Sequence, residues 1–383
     1  MKNIICLNNI SPIGLKALPK DYEIVTDIAG ADAVLVRSAN MLEMSLPKRV
    51  VAVARAGAGV NNIPLEPYAK VGVVVFNTPG ANANAVKELT IAGMLLAARD
   101  IHGGMKWVEA NKADSEINKN MEKAKAGFAG TEILGKTIGI FGLGAVGSLI
   151  ANAAGGLGMH VVGFEPSSAT IERNKKLFPK DIELVKSADE LYAKADYISL
   201  NVPLLPATKG MINKESISKM KDGVIILNIA RDAIVNDVDM KVALEARKVR
   251  TYVTDFPNFA SANMSHVVAI PHLGASTEEA EDNCAKMAAE EISEYIERGN
   301  ISNSVNYPSL SLGALKAHRL VVLYENIEGL AQSLSSEVSK VAKVANMLSG
   351  VKGTFAASLF DIDKAIDTAK LAGLKGVIKV RLI

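Results

Sequence analysis

The sequence predicts an α/β protein: two successive parallel-sheet units, then a small C-terminal α+β unit with a ferredoxin-like order of elements. Three observations carry this. Short apolar runs recur through the first hundred residues and again from Thr137, and they are continuous rather than alternating, as strands buried on both faces require. Segments with helical spacing separate the runs. From His318 onward the pattern changes to strand–helix–strand–strand–helix–strand.

In the first unit, strands are expected at Asn3–Leu7, Tyr22–Thr26, Ala33–Val36, Val50–Ala54 and Val73–Phe76. A helix over Asn84–Ile101 carries Val86, Leu89, Ile91, Met94, Leu95 and Ala98 with few breakers, and Asp114–Lys125 is polar and expected to be exposed. In the second unit the strands are Thr137–Phe141, His160–Phe164, Tyr197–Asn201, Val224–Asn228, Thr251–Thr254 and His266–Ala269. A long helix, Thr277–Arg298, has Thr277 as N-cap, Glu278 and Glu279 where the helix dipole favours acids, and Gly299 as its stop. Asn, Ser, Pro and Gly make Asn300–Leu315 read as a linker. In the last unit, strands are expected at Arg319–Leu323, near Val344–Leu348, at Phe355–Asp361 and at Val377–Leu382, with helices at Leu330–Val341 and Lys364–Leu371.

Composition removes several classes. With 383 residues, 49% hydrophobic and 22% charged, the chain is neither disordered nor fibrous nor a small disulfide scaffold. Lys plus Arg (43) against Asp plus Glu (41) gives +2, so no global basic field points to nucleic acid, and 5% aromatics argue against base-stacking surfaces. No apolar run has the length of a membrane span, and Met1–Leu7 is too short for a signal peptide and reads as a strand. Cys6 and Cys284, the only cysteines, fit a reduced cytoplasmic protein and exclude a Cys-based zinc site.

The strongest motif is Gly142-Leu143-Gly144-Ala145-Val146-Gly147, which follows the strand Thr137–Phe141 and opens a helix over Ala145–Leu157. Gly142 permits the tight turn, Gly144 lets the backbone approach a pyrophosphate, and Gly147 allows close helix–strand packing. The helix N-terminus offers N–H groups and a positive dipole end to phosphates. Glu165 ends the next strand, 18 residues past Gly147. A carboxylate there accepts from ribose hydroxyls and repels a 2′-phosphate, which favours NAD over NADP. Two further strand ends carry chemistry. Arg231, in Asn228-Ile229-Ala230-Arg231, offers a fork of donors to a 2-keto acid. His272, in Pro271-His272-Leu273-Gly274, sits beside a glycine turn where an imidazole can exchange a proton with a developing alkoxide. His102, His160, His266 and His318 lack such context.

In this order, Gly142–Gly147, Ile229-Ala230-Arg231 and Pro271–Gly274 resemble the D-isomer-specific 2-hydroxyacid dehydrogenases. Val36-Arg37-Ser38, Arg55–Ile63 and Asn77–Asn82 look like that family's substrate-domain loops, and the C-terminal unit resembles an ACT regulatory domain. The resemblance implies a Rossmann-type nucleotide domain (96–276) inserted in a discontinuous flavodoxin-like substrate domain (1–95 and 277–310), followed by an ACT-like domain (317–383), with the active site in the cleft between the first two. It implies that Arg231 binds substrate and His272 does acid/base work. Ala58, Gly59 and Val60 would hold the substrate carboxylate through backbone N–H groups, with Arg55 and then Arg37 for a substrate phosphate. For the cofactor NAD it implies Asn82, Gly142, Gly144, Ala145, Val146, Gly147, Glu165, Pro203, Thr208, Ile229, Ala230, Asp255, His272 and Gly274, with no metal. The implied reaction interconverts a D-2-hydroxy acid and its 2-keto acid, with 3-phosphoglycerate favoured as substrate and a place in serine synthesis. The alternatives are glyoxylate, hydroxypyruvate or 2-oxoglutarate reduction, or NAD(H) sensing with weakened catalysis. A homo-oligomer, dimer or tetramer, is expected.

Two departures stand out. In the family a Glu after the strand bearing the Asp255 equivalent hydrogen-bonds the catalytic His; here no Asp or Glu occurs between Asp255 and His272. Either another acid stands in, with Glu278 and Glu281 among the nearest in sequence, or activity is reduced or re-tuned, because a carboxylate partner fixes imidazole tautomer and orientation. Serine-sensing ACT units present a His, an Asn two residues on, and a second Asn; here these positions are Tyr324, Asn326 and Lys343, with Asn346 nearby. One match of three does not support serine feedback and leaves another amino-acid effector or a pure assembly role.

Overall fold

The structure, a computed structural model, describes residues 1–383. It forms two compact units, Met1–Asn82 with Glu278–Ile383, and Ala83–Thr277.

The first unit opens with β1 (Lys2–Cys6), β2 (Tyr22–Val25), β3 (Ala33–Val36), β4 (Ala52–Arg55) and β5 (Val74–Asn77), all parallel, in the order β2-β1-β3-β4-β5. Alternate residues face opposite sides of a strand. Ile4, Leu35, Ala54 and Phe76 pack against Ala285, Ala288, Ile292 and Tyr295 of the helix Glu278–Arg298. Ile5, Val34, Val53 and Val75 pack on the other side with Ile63 and Tyr68. That double burial is why the runs read as continuous.

The second unit holds β6 (Thr137–Phe141), β7 (His160–Phe164), β8 (Glu183–Leu184), β9 (Tyr197–Leu200), β10 (Val224–Asn228), β11 (Val249–Thr254) and β12 (Val267–Ala269). They form one parallel sheet ordered β12-β11-β10-β9-β6-β7-β8. The order reverses between β6 and β9, and a doubly wound sheet opens a crevice at that switch point. The two-residue β8 has no counterpart in the sequence reading. The helix Ala83–Ala98 buries Met94 and Ala97 with Ile138, Ile140, Ile150 and Val253 in this unit's core. The unit therefore begins at Ala83, not near residue 96 as expected.

The C-terminal strands β13 (His318–Glu325), β14 (Val344–Lys352), β15 (Phe355–Ile362) and β16 (Val377–Leu382) pair antiparallel in the order β14-β15-β13-β16. With the helices Leu330–Ser339 and Ala369–Ala372, this is the expected ferredoxin-like arrangement. The second helix is a single turn rather than Lys364–Leu371. The Asp367 carboxylate accepts from Ala369 N–H, a local turn that competes with helix.

Two expectations change here. One face of the C-terminal sheet (Leu320, Val322, Tyr324, Phe360) covers Leu330, Leu334 and Val338. The other (Val321, Leu323, Phe355, Leu359) joins the core that contains Ile4, Phe76 and Tyr295. The sheet shares a core with the first unit and is no separate body. Nor is the segment from residue 300 to 315 a linker. Asn306 Oδ1 accepts from Val75 N–H at 2.8 Å, its Nδ2 donates to Val73 O at 2.9 Å, and the buried Tyr307 hydroxyl donates to Ala69 O at 2.7 Å. Val305 N–H adds a bond to Val75 O, and Ser304 bridges antiparallel to Phe76. Its polar composition reflects backbone groups being satisfied in the interior, where each must find a partner.

Arg319 is fully buried. Its Nε donates to Asp361 Oδ1 at 2.7 Å, and its Nη1 donates to Arg298 O, Asn300 Oδ1 and Gly313 O. No helix in the structure is long and apolar enough to cross a membrane.

Candidate active site

In the second unit the expected residues gather at the carboxyl ends of the parallel strands. Gly142 follows β6 with φ +89°, and a Cβ there would lie 2.6 Å from Asn201 O. A Cβ on Gly147 would meet Gly142 O at 1.9 Å, so this helix packs on its turn only through a glycine. Around Gly144 the space is open: a Cβ would meet nothing within 4 Å. As N-cap of the helix Ala145–Gly156, Gly144 supplies no side-chain acceptor, which leaves the first-turn N–H groups to an incoming anion.

Glu165, at the end of β7, is fixed beside the turn. Its Oε2 accepts from Leu143 N–H at 3.1 Å and its Oε1 from Ser167 N–H at 3.0 Å, so each oxygen keeps a second lone pair. Beyond β9, Thr208 Oγ1 donates to Pro203 O and accepts from Leu205 N–H, which shapes the loop carrying both expected contacts.

The residues expected to react follow β10, β11 and β12. Buried Asn228 orders the Arg231 turn: its Oδ1 accepts from Ala230 and Arg231 N–H, and its Nδ2 donates to Arg231 O at 2.8 Å. Arg231 is half-buried; Nη1 donates to Ala230 O at 2.5 Å, and Cζ stands 5.1 Å from the centre of the Phe256 ring. His272 lies against the same ring, centroids 4.2 Å apart. Asp255 is buried; its Oδ2 accepts from Gly274 N–H at 3.0 Å, while Oδ1 is buried without a partner. Burial holds the Asp255 carboxyl above the usual carboxylate range, and the Gly274 N–H, His272 and Arg231 oppose that shift.

The first unit presents its own loops at the ends of β3, β4 and β5. Asn77 Nδ2 donates to Ala58 O and Thr78 N–H to Gly57 O. Since every peptide is trans, these bonds turn the N–H groups of Ala58 and Gly59 the opposite way. Arg55 Nε donates to Arg37 O at 3.0 Å, and Arg37 pairs with Glu281 at 2.6 Å. One of the two proposed stand-in acids is thus already held by an arginine. Asn82 is the last residue of this segment of the unit. Sequence reasoning missed Asn228, Thr78 and Phe256; for Phe256 the only signal was its place next to Asp255 in a stretch without acids.

Whether a dinucleotide fits can be judged on these residues. The open cradle at Gly144, the uncapped helix start and the orphaned Asp255 Oδ1 are what a pyrophosphate and a carboxamide would need. The parallel sheet, the glycine turn and these open groups together suit a dinucleotide. Residues 91–274 match the model of the D-isomer specific 2-hydroxyacid dehydrogenase, NAD binding domain. The chain is 32% identical over 382 residues to D-3-phosphoglycerate dehydrogenase of Mycobacterium leprae, covering 94% of this chain and 69% of that one. It is 34% identical over 318 residues to the Bacillus subtilis D-3-phosphoglycerate dehydrogenase, covering 81% of this chain and 57% of that one. A solved NAD+-bound 3-phosphoglycerate dehydrogenase of Entamoeba histolytica superposes with a TM-score of 0.62 at 27% identity, over 81% of this chain and 99% of the other. The chain belongs to the D-isomer specific 2-hydroxyacid dehydrogenase family.

Proposed function

We propose that this chain catalyses the NAD-dependent oxidation of D-3-phosphoglycerate to 3-phosphohydroxypyruvate, and the reverse, as a step in serine synthesis. The observation that carries the reading is Arg231 and His272 on one aromatic ring at the same sheet edge as the glycine turn, in a chain whose relatives bear that name. Gly142, Gly144, Gly147, Ala145 and Val146 would hold the pyrophosphate, Glu165 the ribose, and Asp255 the carboxamide, with Asn82, Pro203, Thr208, Ile229, Ala230 and Gly274 lining the site. When bound, NAD exchanges a hydride with the substrate carbon. Arg231, with one of its five N–H donors spent on Ala230 O, binds the carboxylate and polarises the carbonyl. In oxidation His272 takes the hydroxyl proton, and in reduction it returns it. The N–H groups of Ala58, Gly59 and Val60 would receive the substrate carboxylate and Arg55 the phosphate; Arg37, tied to Glu281, is the lesser candidate.

The C-terminal sheet is proposed as an ACT-like effector or assembly module. Tyr324, where serine-sensing units carry His, is buried with its hydroxyl on Ser358 Oγ at 2.8 Å, which supports insensitivity to serine. Exposed Ile101, Met105 and Val108 on the helix Ile101–Ala110 support a homo-oligomer, and the two free thiols fit a reducing cytoplasm. The test follows NADH loss with phosphohydroxypyruvate, hydroxypyruvate and 2-oxoglutarate in parallel, with and without serine. Fastest turnover of the phosphorylated acid, unchanged by serine, is expected. Preference for either of the others refutes the substrate, and NADH binding without turnover refutes the enzyme.

A further inference from the structure

The absent carboxylate leaves a physical question: what holds the His272 imidazole in place. No acid occurs between Asp255 and His272, and Glu281 is engaged by Arg37. What the segment after β11 delivers instead is a ring. Phe256 stands with His272 at a centroid distance of 4.2 Å and an interplanar angle of 44°, and the Arg231 guanidinium lies 5.1 Å from the same centroid.

The ring is itself anchored on both sides. Phe256 N–H donates to Thr254 Oγ1 at 3.0 Å. Pro257 follows, which keeps the backbone of Phe256 out of the helical region. Asn258 and Ser261 then lock the next turn in a reciprocal cap, Ser261 N–H to Asn258 Oδ1 at 2.8 Å and Asn258 N–H to Ser261 Oγ at 2.9 Å. On the histidine side, Asp255 grips Gly274 N–H, so the turn that carries His272 is tied to the residue preceding Phe256.

We propose that Phe256 is the positioning residue of this site, an aromatic brace that aligns Arg231 and His272 in place of a carboxylate partner. The inference rests on the reading of Arg231 and His272 as the reacting pair. The electron-rich ring face attracts the guanidinium, and it offers the same attraction to the imidazolium formed when His272 takes a proton. Being uncharged and making no hydrogen bond to the imidazole, the ring orients it while leaving both nitrogens free for proton exchange.

The experiment compares Phe256→Leu, Phe256→Ala and Phe256→Tyr in the full chain with NADH bound. Misplacing a proton-transfer group by about an ångström costs up to about 10²-fold. Phe256→Ala and Phe256→Leu are therefore expected to lower kcat by about ten- to a hundredfold, with the NADH Kd from fluorescence titration and the Tm unchanged. Phe256→Tyr is expected to restore kcat to within about threefold, because it keeps the ring face. An NMR arm follows the His272 ring C–H resonances, assigned with His272→Gln. The ring current of Phe256 should displace them in the parent and in Phe256→Tyr but not in Phe256→Leu. Parent-like kcat and unmoved His272 resonances in Phe256→Leu would overturn the proposal. So would a loss of kcat, NADH affinity and Tm together without rescue by Tyr. If the parent turns over none of the three acids, the functional reading fails on its own assay. The resonances still decide whether Phe256 positions His272.

Discussion

Glu291 lies within the helix Glu278–Arg298, buried, with Oε1 accepting from Asn303 Nδ2 at 2.7 Å and Oε2 without a partner. Burial pushes its carboxyl up to about 8; Asn303 opposes the shift and Glu290 adds to it. The native state thus keeps a proton that the unfolded chain releases near 4.5. Stability from this group is fully present below about 4.5 and is lost as pH rises through about 8, by at most roughly 1.4 kcal/mol per pH unit for one proton. Urea unfolding of the parent at pH 6 and pH 8.5 should show this loss, and Glu291→Gln, which keeps the Asn303 bond, should flatten it. At this scale motif and strand-end position singled out Arg231 and His272 in the sequence, and the two side chains lie against one ring. The sequence was not readable where a role depends on distance alone. Phe256 and Glu291 look like any Phe and any helical Glu until their neighbours are known.

The glycine turn and its helix act as one element, and its three glycines do different work. Gly147 has no room, since a Cβ would collide with Gly142 O at 1.9 Å, whereas Gly144 faces open space. Gly144→Val should fold with an unchanged Tm and raise the NADH Kd about tenfold or more, because its side chain fills the cradle. Gly147→Val should lower Tm and soluble yield, because the helix must move off its strand. Thermal melts with NADH titrations separate the two. Strand positions were legible to within a few residues because continuous apolar runs mark parallel strands buried on both faces. The segment 300–315 was misread because composition reports polarity and not where polarity is used: Asn306 and Tyr307 spend theirs on interior backbone. The boundary at Ala83 was missed for a related reason, since apolar spacing in the helix Ala83–Ala98 does not say which sheet it will cover.

Across the whole molecule, the second unit holds one sheet and the first holds two, and the first is built from both ends of the chain. Arg319 is a central tie within the first unit, joining Asp361 of β15 to carbonyls at Arg298 and Gly313. Arg319→Met should destabilise the protein by about 3–5 kcal/mol, because Asp361 is left as a buried charge with only Asn346 beside it. Arg319→Met with Asp361→Leu should recover part of that loss, and denaturant melts of the two variants measure the coupling. The ferredoxin-like order was legible from element pattern, but its fusion to the first core was not. Both faces of β13 are apolar, and a sequence does not name the partner of each.

The strap formed by Ser304, Val305 and Asn306 runs along β5, the last strand of its sheet. Unpaired rims of this kind recruit foreign strands. Here the polypeptide seals its own rim with a stretch more than two hundred residues downstream. Until that late stretch is synthesised and seated, the nascent chain carries an unsealed border along β5.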